Sequence, residues 1–301
     1  MQRQRISQVL GLVLLLAGVS WPQQVPVSII VSVEAKHGKE VPKVYKEDVR
    51  VLHDHDRLQV TEWIPCQGAQ AGLDLFVLMD DATDPDIGLQ FDDVRKFIDA
   101  QPSDASIGVG YARNGGVQMA QNMTKDHAQA AKALRLPLGT GAMASPYLSL
   151  TELIKSWPQS ENRREILMVS SGIDFLQGGP NDSYLQEAVD QAQRAAIQVY
   201  AIYTSSLGHA GHSYWRTTWG QNNLSRLTEE TGGEFYIQGL NTPISFAPYL
   251  GQFADRLKHQ YKLTFLANAG HKSEYQHIHL ETEVTNAELV AQDNVYVPAA
   301  K

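Results

Sequence analysis

Three stretches of this chain are almost continuously apolar: LDLFVLM at residues 73–79, EILMVSS at 165–171 and IQVYAIYT at 197–204. A strand with one wet face alternates apolar and polar residues. A strand without that alternation has both faces covered. Helix-period segments lie between these runs. Phe91, Val94, Phe97 and Ile98 form one stripe. KDHAQAAKALRL reads as helical, and SPYLSLTELIKSW starts at Ser145, a good N-cap, with Pro146 at the first helical position. DSYLQEAVDQAQRAA has Asp182 or Ser183 as cap, and NNLSRLTEETGG is closed by glycine. ASIGVGYA and GGVQMAQNM flank Asn114-Gly115, a strong hairpin signal. Strands alternating with helices predict an α/β fold, a doubly wound, mostly parallel sheet over about residues 70–258.

The two flanks have the other period. VPVSIIVSV and VRVLHDHDRLQVTEW alternate, as do YKLTFLA, YQHIHLETEV and AELVAQDNVYV near the C-terminus. About four strands over 25–65 and three over 260–298 predict one β-sandwich-like second domain, built from both ends of the chain around an inserted α/β domain. Two separate small β elements are the alternative. The HDHD run (His53 to Asp56) falls where a hairpin tip is needed and reads as solvated. His277 and His279 have strand spacing and read as one wet face.

The first 20 residues read as a cleavable signal peptide. Arg3 and Arg5 precede the apolar run VLGLVLLLAGV, and Gly18 and Ser20 are small residues at cleavage spacing. An uncleaved anchor is the alternative. The expected location is secreted or periplasmic, and no later segment is apolar enough to make an integral membrane protein. Cys66 is the only cysteine, so no internal disulfide forms. A net charge of -8 argues against nucleic acid as a partner. There is no phosphate-binding loop, no dinucleotide fingerprint and no nucleophile-elbow motif.

Two places carry candidate chemistry. The first apolar strand ends in LMDDATD, which puts Asp80, Asp81 and Asp84 within five residues. The stretch TSSLGHAGHSYWRTTWGQNN, residues 204–223, reads as a long loop on the same sheet edge. It holds His209, His212, Tyr214, Trp215, Arg216 and Trp219. Aromatics beside arginine suit recognition of a protein partner, or else the tryptophans anchor the loop. Two histidines with no third ligand nearby make a weak metal signal.

LFVLMDDATD, the later ILMVSSGID and LSRLTEETGGEFY, in that order, resemble a von Willebrand factor A (vWA) domain. With the flanks KEDVRVLHDHDRLQVTEW and LKHQYKLTFLA, the chain resembles secreted bacterial proteins with a "VWFA-related" domain. The resemblance implies a ligand site at the C-terminal edge of the sheet. In many members that edge is a metal-ion-dependent adhesion site. Its first loop reads Asp-x-Ser-x-Ser, a second supplies Thr and a third Asp. Here the first loop reads Asp80-x-Ala82-x-Asp84. The Thr position falls best on Ser145, with Thr140 the other candidate. The third-loop position falls on Ser171, with Asp174 three residues on. Asp80, Asp84, Ser145 and Ser171 are therefore the candidate ligands of a degenerate site for Mg²⁺ or Ca²⁺. The extra carboxylate at Asp84 weakens the ion's hold on an acidic partner.

The expected function is a secreted, non-enzymatic protein-binding or adhesion-type module whose partner is unknown. A structural component of an envelope assembly is the alternative. A hydrolase using Ser170 or Ser171, or a metal at Asp80 and Asp84, is the enzymatic one.

Overall fold

The computed structural model describes residues 23–38, 40–158, 160–177, 179, 181–206 and 212–300. The expected signal peptide and His209 lie outside these residues.

The first apolar run is strand β4 (Leu73–Asp80), buried at every position. It pairs in parallel with β5 (Ser106–Arg113) on one side and β7 (Arg163–Ser170) on the other. β6 (Gly116–Thr124) returns antiparallel to β5. The turn between them places Asn114 at φ 54° and Gly115 at φ 79°, the left-handed pair that this hairpin type needs. β8 (Ile197–Tyr203) and β9 (Phe235–Tyr236) complete the order β6-β5-β4-β7-β8-β9. This is the expected α/β class, with a mostly parallel sheet.

Successive β4 side chains go to opposite faces. Leu75, Val77 and Met79 join a core with α1 (Phe91–Asp99), α2 (His127–Lys132) and α6 (Ala247–Lys258). Phe76 and Leu78 join the core of α3 (Pro146–Ser156), α4 (Ser183–Ala195) and α5 (Tyr214–Thr231). The fully buried strand is thus explained by helices on both sides. β4 is the first strand of the sheet and lies in its interior. The chain leaves it toward β5 on one side and comes back to β7 on the other, so the β4–β7 boundary is a topological switch point.

A second sheet-rich region has the order β12-β2-β3-β10-β1-β13. Its longest ladder is the antiparallel pairing of β1 (Gln23–Ala35) with β10 (Gln260–Ala269), in register from Gln23↔Ala269 to Ser32↔Gln260. β2 (Val49–His53) and β3 (Asp56–Pro65) form the HDHD hairpin. The three strands expected near the C-terminus are five. YQHIHLETEV divides into β11 (Glu274–His277) and β12 (His279–Thr282), and AELVAQDNVYV into β13 (Ala287–Val290) and β14 (Asn294–Val297). The break falls at Ile278, a buried residue whose amide donates to the Asp293 carbonyl at 2.7 Å. There the chain leaves the β11–β14 ladder and joins β2. His277 and His279 therefore lie on different strands, and both are exposed, as expected, with buried Ile278 between them. Val31, Phe265, Ile278 and Val295 share one core between the six-stranded sheet and the β11–β14 pair.

The two regions meet over polar side chains. Gln198 of β8 donates to the Ile30 carbonyl, and Gln260 donates to Gln198 at 2.8 Å. Arg256 of α6 pairs with both Glu34 and Glu234. Glu165 of β7 lies in the same neighbourhood, fully buried, with neither carboxyl oxygen hydrogen-bonded. Burial pushes its carboxyl up to about 8, against the opposing pull of Arg163 and Arg256.

This fixes a pH dependence. A carboxyl raised in the folded state holds a proton that the unfolded chain has already lost, so stability falls as pH rises between the two values. Glu165→Gln is expected to remove that loss. Its melting temperature should equal or trail wild type near pH 4.5 and exceed it by several degrees at pH 8, as followed by circular dichroism.

Candidate functional site

Asp80 ends β4 and Ser170 ends β7, which puts the two side by side at the switch point. The Ser170 hydroxyl donates to Asp80 Oδ2 at 2.7 Å, and the Ala82 amide donates to Asp80 Oδ1 at 3.0 Å. Burial raises the Asp80 carboxyl to about 6 even though these two hydrogen bonds stabilise its charge, and nearby Asp81 and Asp174 raise it further. Ser170 Oγ also accepts from the Gly172 amide.

Ser145 immediately precedes α3, but its hydroxyl does not cap the helix. It donates instead to Asp174 Oδ2 at 2.9 Å. Asp174 Oδ1 accepts the amides of Leu176 and Gln177, which folds the loop after β7 over the sheet edge. Asp182 caps α4, as expected, through the amides of Tyr184 and Leu185. Ser171 Oγ is buried and accepts from the Ile173 amide at 3.3 Å.

Asp84 goes elsewhere. Its carboxylate caps the short 3₁₀ turn Pro85–Gln90 through the Asp86 amide at 2.9 Å. The sequence DPDIG accounts for this: aspartate before proline is a capping pattern. The four candidate ligands thus divide. Asp80 bonds to Ser170 rather than Ser171, Ser145 bonds to Asp174, and Asp84 faces the rim. None of the side-chain oxygens of these residues is among the buried atoms left without a partner. Among the described residues, no three or more His, Cys, Asp or Glu are grouped so as to hold a metal ion. Each candidate donor is engaged with a partner outside the set of four.

The loop's middle acid, Asp81, has a role that sequence reading missed. It is completely buried and takes a two-pronged bond from Arg135, at 2.7 and 3.0 Å. It also accepts the Leu138 amide at 3.0 Å. The Arg135 guanidinium stacks on the Tyr111 ring at 3.7 Å, and the Tyr111 hydroxyl donates to the Arg135 carbonyl. A carboxylate and an arginine 54 residues apart leave no local sequence signal.

The aromatic segment is not a loop throughout. Tyr214, Trp215, Arg216 and Trp219 lie in the first turns of α5, and His212 just before it is exposed. Ser213 caps the helix through the Arg216 amide. Gly220 lets the helix lie against the loop after β7. A Cβ at Gly220 would lie 2.4 Å from the Ser171 carbonyl oxygen. Gly172, at φ 68°, is pressed against the Gly220 carbonyl from the other side. Tyr214 and Trp215 are 64% and 66% exposed and pack edge to face, 5.6 Å apart. Arg216 sits over the Phe175 ring, and Trp219 is half-buried.

Around them the same sheet edge exposes apolar side chains that sequence reading did not single out. Leu89 follows β4, Phe175 and Leu176 follow β7, and Ile244 follows β9. Their signal was available, as apolar residues inside turn segments. Ser170 and Ser171 are buried, and no histidine among the described residues hydrogen-bonds either one.

No family model and no curated protein matches the chain. Solved structures do. One is an aerotolerance-related membrane protein from Bacteroides fragilis, a form with multiple mutations to serines. It is 12% identical, at a TM-score of 0.45, over 62% of this chain and 98% of its own. Another is a von Willebrand factor type A protein from Catenulispora acidiphila, 8% identical, at a TM-score of 0.45, over 92% of this chain and 75% of its own. A third is the ArnB paralog VWA2 from Sulfolobus acidocaldarius, 9% identical, at a TM-score of 0.43, over 91% and 76%. Von Willebrand factor A proteins thus stand among the structural neighbours of this chain.

Arg135→Ala is expected to cost about 3 kcal/mol, because it leaves a fully buried carboxylate without its cation. Arg95→Ala, which breaks the surface pair with Asp92, is expected to cost about 0.5 kcal/mol or less. Urea unfolding of the two variants measures the contrast.

Proposed function

We propose that this chain is a secreted, non-enzymatic protein-binding module, whose contact surface is the C-terminal edge of the α/β sheet. The observation that carries the reading is the pairing of a closed polar floor with an apolar rim. Asp80, Ser145, Ser170 and Asp174 satisfy one another below the surface. Leu89, Phe175, Leu176, Tyr214, Trp215 and Ile244 stand exposed around them. Clustered exposed apolar and aromatic groups mark interaction sites. The adhesion site is degenerate in this reading. The partner is held by rim contacts, with no Mg²⁺ or Ca²⁺ bridging it to Asp80. Among the described residues no helix is long and apolar enough to cross a membrane, which suits a protein exported by its leader.

Two measurements test this. Trp215→Ala should lose a partner that the wild-type protein captures from envelope extract or culture fluid, with an unchanged melting temperature. Tyr45→Ala, at an exposed aromatic on the sheet-rich region, should still capture it. Equal capture by all three proteins would remove the rim from consideration. Millimolar Mg²⁺ or Ca²⁺ should leave the melting temperature where it was. A rise that Asp80→Ala abolishes would restore the ion to the mechanism.

A further inference from the structure

At the opposite edge of the α/β sheet, where it meets the β1–β3–β10 surface, there is a cleft of about 350 Å³. That is within the range of small-molecule sites. Its walls come from both regions: Ser28 and Lys262 from the antiparallel sheet, and Asn162, Arg163 and Arg164 from the start of β7.

The charges on these walls are unbalanced. Arg164 is only 8% exposed. One of its guanidinium nitrogens donates to the Ala195 carbonyl at the end of α4, and burial weakens its hold on its proton. Arg163 donates to the Cys66 carbonyl, and its Nε is buried without any acceptor. Lys262 stands exposed on β10 at the lip. Among the described residues, none of the three has a carboxylate within 4.0 Å.

The nearby acids offset them only in part. Asp74, the register partner of Arg164, is the acid whose charge acts on it without touching it, and its Oδ1 accepts from Asn162 Nδ2 at 2.9 Å. Glu165, which feels the charge of Arg163, is a neutral carboxylic acid below about pH 8. Glu161 is exposed on the rim. A mostly buried guanidinium with no carboxylate in direct contact is costly. Here it sits beside two further cations in a chain of net charge -8.

We propose that this cleft binds a small organic anion, a polycarboxylate or a phosphate-bearing molecule, with one oxyanion group on Arg163 and the other end held by Lys262, while Arg164 adds its charge from the opposite face of β7. A guanidinium suits planar or tetrahedral oxyanions, and the lysine adds a mobile point charge at the mouth. Because the walls belong to both regions, an occupant braces the junction, and binding appears as thermal stabilisation.

The test uses the full protein with sodium citrate and inorganic phosphate as probes, against sodium chloride at matched ionic strength. At least one probe should give a saturable rise of several degrees in melting temperature. Citrate acting alone identifies a carboxylate site, and phosphate acting alone a phosphate site. Lys262→Glu, a change at an exposed position, and Arg163→Gln should each weaken binding at least tenfold in titration calorimetry. The proposal is overturned if neither anion raises the melting temperature beyond chloride, or if both variants keep the wild-type affinity.

Discussion

The burial of β4 on both faces is the constraint on which the rest of the molecule depends. A strand with Leu75, Val77 and Met79 on one side and Phe76 and Leu78 on the other needs a layer of helices on each. Two helical layers require crossovers of both kinds, so the chain must reverse its direction of winding beside this strand. The reversal separates the loops above β4 and β7 and leaves a crevice between them. Asp80 is there because it is the first residue after the apolar run. Its environment follows from that position. It is out of water, bonded to the serine that ends the next strand, and pushed toward neutrality.

Above that floor, polar groups are used for cohesion. Asp81 holds Arg135 and the segment before α3, Asp174 holds Ser145 and its own loop, and Asp84 and Asp182 cap turns. Each carboxylate saves a loop from leaving backbone amides unpaired. These bonds tie the described parts of the loops to the sheet edge, and their apolar side chains stand exposed above a satisfied polar layer.

The second region has a different logic. Its longest ladder joins residues near the two ends of the described chain, and its junction with the α/β sheet includes the polar side chains of Gln198, Gln260, Glu165 and Arg256. Such a contact responds to protonation and to ions more than a dry interface would.

The strand and helix periods were legible in the sequence, and so were the Asn114-Gly115 turn and the Asp182 cap. These depend on neighbours within a few residues. So was the position of Asp80, since the end of an apolar run is the end of a buried strand. The side-chain partners were not legible. Asp84 and Asp80 are four residues apart and equally able to ligate an ion, yet one caps a turn and the other meets Ser170, 90 residues away. The start of α5 at Tyr214 has a local signal in the Ser213 cap, whereas the close fit of Gly220 against Gly172 was hidden. The break at Ile278 was hidden because it depends on Asp293. The sequence by itself determined which segments are buried and with what period, because burial is summed over local side chains. Only the tertiary structure decided which oxygen meets which donor, because that choice is made between groups the chain brings together from far apart.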